Sequence, residues 1–316
     1  MLIELKQAIQ LIQEHRVIAI PTETVYGLAA SLSSQSAIQS IFSLKNRPSQ
    51  NPLIVHVADQ KQAESLIGSM PPSFDLLTKS YWPGSLTLVV PASDHVPSIV
   101  RAGLPTVGLR VPNHPLSRAF LQETGPLVAP SANLSGRPSS TCPEHVVQDF
   151  GDQLPILDGG ICDKGLESTI LVFHNGKWDL GRLGAIPYEE LETLLGDTLT
   201  LQTAVKPLCP GQQFRHYSPK ARLHLSQSAY TGNPDTVLGF EERQYPGAKE
   251  MYSLGRLSDP QEISQNLYST LRQLDIDGVK NVWVDINFDQ KGMLLTVDER
   301  LKKAAHQNTD GYPNLF

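Results

Sequence analysis

The octapeptide Pro21-Thr22-Glu23-Thr24-Val25-Tyr26-Gly27-Leu28 concentrates hydroxyls, a carboxylate and a phenol directly behind an apolar run, Arg16-Val17-Ile18-Ala19-Ile20. The run reads as a buried strand. Polar groups at a strand's carboxyl end, next to a glycine, are where open α/β sheets hold small ligands; a polar turn without function fits the same letters. Further along, Lys45 and Arg47 follow a helical pattern. They suit either solvated cations complementing a helix C-terminus or a clamp for phosphates. Arg110 stands inside the apolar stretch Thr106–Pro112 and must find an anion, from a ligand or from a carboxylate of the chain. His56 closes the apolar strand Leu53–Val57, where a satisfied core histidine is the commoner outcome. Ser131-Ala132-Asn133, with Ser135-Gly136 and Ser139-Ser140-Thr141, is dense in small donors between a strand end and a helix start. Backbone N–H groups can cradle phosphate at such a place, and a capped serine-rich turn is the plainer reading. No Walker-type Gly-Lys-Ser/Thr run, Gly-x-Ser-x-Gly elbow or His-Glu-x-x-His zinc motif occurs.

These residues need a scaffold, and its bounds are ordinary. The 316 residues are 40% hydrophobic and 18% charged, enough for two globular domains with large cores. The formal net charge of -6 argues against phosphate-backbone binding as the main activity, though a local cationic groove remains compatible with it. Cys142, Cys162 and Cys209 are far apart, with no metal-ligand spacing and an odd count for disulfides, so a reducing cytosol is expected. No leader of signal type opens the sequence, and no apolar run nears the roughly 18 residues of a membrane span.

Periodicity predicts helices over residues 3–14, 34–44, 60–67, 74–81, 116–122, 187–195, 260–274 and 297–306. It predicts strands over 53–57, 86–90, 106–112, 127–129, 156–160, 168–173, 236–240, 249–254 and 281–286. Thr141-Cys142-Pro143-Glu144 has capping-box form and should open a helix to about Phe150. The stretch 196–221 lacks sustained periodicity and reads as a linker, although Phe214, His216 and Tyr217 suggest that it packs on something. The expected organisation is therefore a larger α/β domain over 1–195, a linker or lid over 196–221, and a smaller α/β domain over 222–316.

Taken together, the motifs closely resemble the Sua5/YrdC/YciO family. They are Pro21–Leu28, Lys45-x-Arg47, Asn51-Pro-Leu-Ile-Val-His56, Gly108-Leu-Arg-Val-Pro112, Pro130-Ser-Ala-Asn133, Glu167-Ser-Thr-Ile170 and Gly181-Arg182, in that order. The resemblance covers roughly residues 8–195. His216-Tyr217-Ser218-Pro219 and Asp298–Ala305 look like the linker and last helix of the longer, two-domain Sua5 form, while Lys291–Val297 departs from the Gly- and Ala-rich pattern expected there.

The resemblance implies a YrdC-like twisted mixed sheet with flanking helices and a concave cleft, plus a smaller Rossmann-like C-terminal α/β domain. It implies synthesis of L-threonylcarbamoyladenylate and pyrophosphate from L-threonine, bicarbonate and ATP. The product serves N6-threonylcarbamoylation of adenosine 37 in tRNA, which a transferase complex completes. By the same match, Lys45, Arg47, Ser131, Asn133, Ser140 and Arg182 should hold ATP, with His216 and Tyr217 closing over it. Arg110 should pair with the threonine carboxylate, with Thr22, His56 and Ser168 on the amine, hydroxyl or carbamate. The substrate would then supply the anion that Arg110 needs. No side-chain nucleophile and no organic cofactor are implied; Mg2+ would come with ATP, bound to phosphates and water. The chain should be cytoplasmic, with tRNA and the transferase complex as further candidate partners and no membrane. The alternatives are a module binding double-stranded RNA or tRNA on the concave face, and carbamoyl-AMP chemistry like that of hydrogenase-maturation proteins. The first lacks a Lys/Arg stripe with interleaved aromatics. The second lacks the acylphosphatase and zinc-finger-like segments of those proteins.

Overall fold

The computed structural model describes residues 1–201 and 216–305. The strands are β1 (Leu2–Ile3), β2 (Ile18–Ile20), β3 (Gly27–Ser31), β4 (Ile54–His56), β5 (Leu86–Pro91), β6 (Thr106–Arg110), β7 (Leu127–Val128), β8 (Ile156–Leu157), β9 (Thr169–His174), β10 (Lys177–Arg182), β11 (Arg222–Ser226), β12 (Thr236–Gly239), β13 (Glu250–Ser253) and β14 (Asn281–Asp285). The helices are α1 (Leu5–Gln13), α2 (Gln35–Lys45), α3 (Gln60–Glu64), α4 (Phe74–Tyr81), α5 (Ser98–Arg101), α6 (Pro115–Thr124), α7 (Pro143–Phe150), α8 (Tyr188–Leu195), α9 (Pro260–Ile276) and α10 (Gly292–Ala305).

The first ten strands form one mixed sheet in the order β1-β8-β2-β3-β7-β4-β6-β5-β9-β10. Side chains alternate across a strand, so neighbouring residues enter different cores. Ile18, Ile20, Ala29, Leu127 and Leu157 pack with Ala8 and Ile12 of α1 and with Phe120 and Leu121 of α6. Ala19, Leu28, Val128 and Ile156 belong to the other core, with Ile38, Ile41 and Phe42 of α2 and Leu77 of α4. Coverage on both faces explains why these strands read as continuous apolar runs. In the centre, Ile54 meets Val89, Ile170 and Val172 in a small separate cluster.

The last four strands make a parallel sheet in the order β11-β14-β12-β13. Its core takes Ile263, Leu267 and Leu271 from α9 and Val297 and Leu301 from α10. The same core contains Val25, Leu166 and Ala185 from the large-sheet unit and Tyr217 from the stretch between them. The two units thus share one apolar seam.

Several local expectations change. Strands β3 and β10 were not legible: β3 is built from Gly, Leu, Ala and Ser, and β10 carries Lys, Asp and Arg. Helix α10 begins at Gly292, before the expected 297. No capping box opens α7; Cys142 is the N-cap and gives no side-chain bond, while His145 Nδ1 accepts from Thr141 N at 3.2 Å. The linker expectation falls partly on 202–215, which with Phe214, Cys209 and the last helix beyond Ala305 lie outside the described residues.

Gly165 lies on the seam. Its φ is +70°, and a Cβ there would meet Ser264 O at 2.3 Å and Gln265 Cα at 2.5 Å, both backbone atoms of α9. Neither the left-handed conformation nor a helix backbone yields cheaply. Gly165→Ala is expected to lower unfolding free energy by more than about 2 kcal/mol, measured by urea denaturation. A change within about 0.5 kcal/mol would show that the seam is loosely packed.

Candidate functional site

A cleft opens where the central strands of the large sheet end. It is built from strand-end turns upward.

Beyond β2, Thr22 Oγ1 donates to Val25 O at 2.7 Å and accepts from Thr24 N (3.1 Å) and Val25 N (3.2 Å). This hydroxyl-closed turn points Thr22 and Thr24 into the cleft. Arg110, at the end of β6, donates from Nη1 to Thr24 Oγ1 (2.8 Å) and from Nε to Gly84 O (3.1 Å). Its Nη2 lies 2.7 Å from Glu23 Oε1. Glu23 also accepts from Ser85 Oγ at 3.1 Å and from Asn113 N at 3.0 Å. The anion that Arg110 needs is therefore already in the chain, and the expectation that the substrate alone supplies it is corrected. Nη2 is enclosed and, among the described residues, makes this ion pair without a well-aligned hydrogen bond.

His56 sits beside Arg110 in the β4–β6 register and faces the same cleft. Burial, then the neighbouring Arg110 charge, pushes its pKa down to about 3. The ring is neutral at pH 7, and its Nδ1 has no hydrogen-bond partner among the described residues.

Ser168 precedes β9 and shares a 2.7 Å hydrogen bond with Thr87 Oγ1. Arg182 donates to Ser168 O at 2.8 Å and to Ser168 Oγ at 3.2 Å. A register shift between Leu180 and Arg182 marks a bulge, a device that re-aims a side chain at a strand end.

The two cations of the Lys-x-Arg pair part company. Helix α2 ends on Asn46 in the left-handed conformation, φ 51°. Arg47 reaches the cleft and is fixed by the carbonyls of Asn51 (3.3 Å) and Pro52 (2.8 Å). Burial and then Arg182 lower its pKa to about 9, which leaves it charged at pH 7. Lys45 turns inward and donates to Ser131 O and Asn133 O. It is a strut under the 131–133 loop and does not line the cleft. Ser140 is likewise set back, donating to Ala132 O at 2.6 Å. Both were expected in direct contact with ATP; the structure puts them behind the residues that face the cavity.

Ser131 and Asn133 do face it, and Asn133 Oδ1 is without a partner among the described residues. His216 and Tyr217 complete the rim. His216 Nε2 is enclosed and, among the described residues, unpartnered. Tyr217 holds a left-handed backbone, φ 66°, with its ring stacked on Tyr268 (5.4 Å, 21°) and the Arg300 guanidinium 4.8 Å from its centre.

Thr22, His56, Arg110, Ser168, Arg47, Ser131, Asn133, Arg182, His216 and Tyr217 thus share one cavity. Sequence reasoning missed Thr24, Arg137, Ser139 and Glu167 as lining residues. Thr24 and Glu167 stood within the quoted motifs; Arg137 carried only the signal of a lone cation in a serine-rich turn. Among the described residues no three His, Cys, Asp or Glu side chains group as metal ligands. Glu167 is occupied by Ser139, Tyr268 and Arg300. The lining therefore does not suit a cation held by the protein itself.

Two family models match the chain. Residues 10–184 match Sua5_yciO_yrdC, described as telomere recombination, and residues 186–306 match Sua5_C, described as the threonylcarbamoyl-AMP synthase C-terminal domain. The chain belongs to the Sua5/YrdC/YciO family, in its two-domain Sua5 form. A Bacillus subtilis protein named threonylcarbamoyl-AMP synthase is 39% identical, covering 96% of this chain and 93% of the relative. A Pyrococcus abyssi protein of the same name is 36% identical, covering 93% and 92%. The crystal structure of P. abyssi Sua5 complexed with L-threonine matches with a TM-score of 0.88 at 33% identity, covering 97% of this chain and 98% of that one.

The buried neutral His56 has a consequence for stability. An unfolded histidine titrates near pH 6.5, whereas this one stays unprotonated down to about pH 3. As pH falls below 6.5 the unfolded chain binds a proton that the folded chain refuses, so stability falls with pH. Between pH 6 and 4, His56→Gln is expected to flatten the pH dependence of unfolding free energy by about 1.4 kcal/mol per pH unit. Urea melts across that range check it; an unchanged slope would mean that His56 is hydrated.

Proposed function

We propose that this chain is an L-threonylcarbamoyladenylate synthase, converting L-threonine, bicarbonate and ATP into threonylcarbamoyl-AMP and pyrophosphate. The observation that carries this reading is the convergence of Arg47, Arg110 and Arg182, small hydroxyls and an uncharged imidazole on one cavity. ATP lies along Arg47, Ser131, Asn133 and Arg182, on the loop that Lys45 and Ser140 brace. Threonine places its carboxylate on Arg110 and its polar groups among Thr22, His56 and Ser168. The amine forms an N–C bond to CO2 derived from bicarbonate and loses a proton. A carbamate oxygen then attacks the α-phosphorus, and the bond to pyrophosphate breaks. The chain's contribution is orientation and charge stabilisation, with no covalent intermediate. Mg2+ would come with ATP and would offset phosphate charge, with Arg47 and Arg182 supplying the protein's share of that charge. The product is consumed in N6-threonylcarbamoylation of adenosine 37 of tRNA by a transferase complex, in the cytoplasm. The domains divide at 1–195, 196–221 and 222–316. None of the helices among the described residues is long and apolar enough to cross a membrane.

Pyrophosphate release from ATP and bicarbonate should depend on L-threonine. Arg110→Ala is expected to reduce it about a hundredfold or more, and Arg110→Lys, which keeps a partner for Glu23, should mainly raise the KM for threonine. Threonine-independent release would overturn the reading. Submicromolar tRNA binding with a steep salt dependence and no release would favour an RNA-binding module instead.

His216 and Tyr217 act as a lid on the nucleotide. Changing both to Ala should raise the KM for ATP about tenfold and reduce product yield. Unchanged ATP affinity and yield would remove them from the site.

A further inference from the structure

The largest fully buried side chains among the described residues are Arg272 and Arg300, and both belong to helices of the small-sheet unit. Each crosses the seam and ends on a carboxylate of the large-sheet unit. Arg272 Nη2 lies 2.8 Å from Asp149 Oδ2, and Arg300 Nε lies 3.1 Å from Glu167 Oε2. Buried guanidinium groups are costly and add little net stability when replaceable by apolar packing. Their presence here needs a further reason.

Glu167 supplies one. Among the described residues it is the carboxylate that lines the cleft. As an acceptor it ties neighbouring elements together: Ser139 Oγ donates to Oε1 at 2.6 Å and Tyr268 OH to Oε2 at 2.8 Å, joining the serine-rich loop, the turn before β9 and α9. Left bare, it would repel a polyphosphate and draw Arg182 away from any ligand. Burial alone would raise its pKa, yet Arg300 first, then Arg182, Ser139 and Tyr268, hold it at about 2, so it is ionised at neutral pH. Arg300 is itself wholly buried, donating also to Leu183 O at 2.7 Å and pairing with Glu299, whose second oxygen is met by Lys303.

We infer that the small-sheet unit makes the cleft accept ATP by charge compensation: Arg300 is a positioning residue that cancels Glu167 and leaves Arg182 free to hold phosphate. This rests on the ATP-binding reading above. It assigns to the second unit a direct electrostatic share in nucleotide affinity, exerted without touching the nucleotide.

A double-variant cycle on the full chain tests it. Arg300→Met should raise the KM for ATP about tenfold or more, as one uncompensated charge about 12 Å away or nearer does at an effective dielectric of about 20. It should weaken the binding of inorganic pyrophosphate in calorimetry to the same degree. Adding Glu167→Gln should restore most of both, and Glu167→Gln alone should bind ATP and pyrophosphate more tightly than the parent. A packing role would give no such rescue. The inference fails if the double variant is no better than Arg300→Met, or if Glu167→Gln alone weakens ATP as much. Should Arg300→Met not fold, Glu167→Gln alone decides: tighter binding supports the inference, unchanged or weaker binding overturns it. A parent chain without threonine-dependent turnover would sink the synthase reading, while the pyrophosphate titrations would still judge the charge compensation.

Discussion

Holding guanidinium groups charged inside protein is the constraint on which this structure turns. A cavity for a polyanion needs cations that water has not satisfied, and each such cation must be steadied by something weaker than the ligand. The chain uses backbone carbonyls for most of this. Arg47 rests on Asn51 and Pro52, and Arg182 on Ser168. A carbonyl fixes direction without cancelling charge. Arg110 differs in meeting a true carboxylate in Glu23, as Arg137 of the cleft meets Asp149. The Arg110–Glu23 pair also joins Gly84, Ser85 and Asn113, so it fastens three turns at once.

The placement of these groups follows from the sheet. Strands short enough to end together bring β2, β4 and β6 to one edge of the cavity, and the parallel β4–β6 register sets His56 next to Arg110. Alternation of side chains then sends Ile18 and Ile20 to one core and Ala19 to the other, so both faces are sealed against helices. The rigid layer lets loop residues carry chemistry while remaining fixed to it.

Much of this could be read from the letters. Long periodic segments such as 74–81 and 260–274 matched their helices within a few residues, because burial of one face dominates there. The site was legible as a set of motifs, since polar residues placed against apolar strands have few other uses. What stayed hidden was partnership. Nothing in Glu23 marks it as the counter-charge of a residue 87 positions later, and the Lys45 ammonium differs from the Arg47 guanidinium only by the turn between them. Strand β3, with its Gly, Ala and Ser, lacks the bulky pattern of a strand and exists because β2 and β7 flank it. Thr141-x-x-Glu144 looked like a cap, yet a histidine ring took the place, since side-chain competition for an amide is settled in three dimensions.

The left-handed residue between Lys45 and Arg47 carries an implication for how this segment can vary. A chain reversal one residue wide sends consecutive cations to opposite sides of a wall. Its middle letter favours asparagine, glycine or aspartate, the residues that adopt such a backbone most readily. Insertion or deletion of a single residue there would trade the strut for the clamp, inverting inside and outside with both cations retained. Length, more than charge, is what drift at this point in the gene cannot alter.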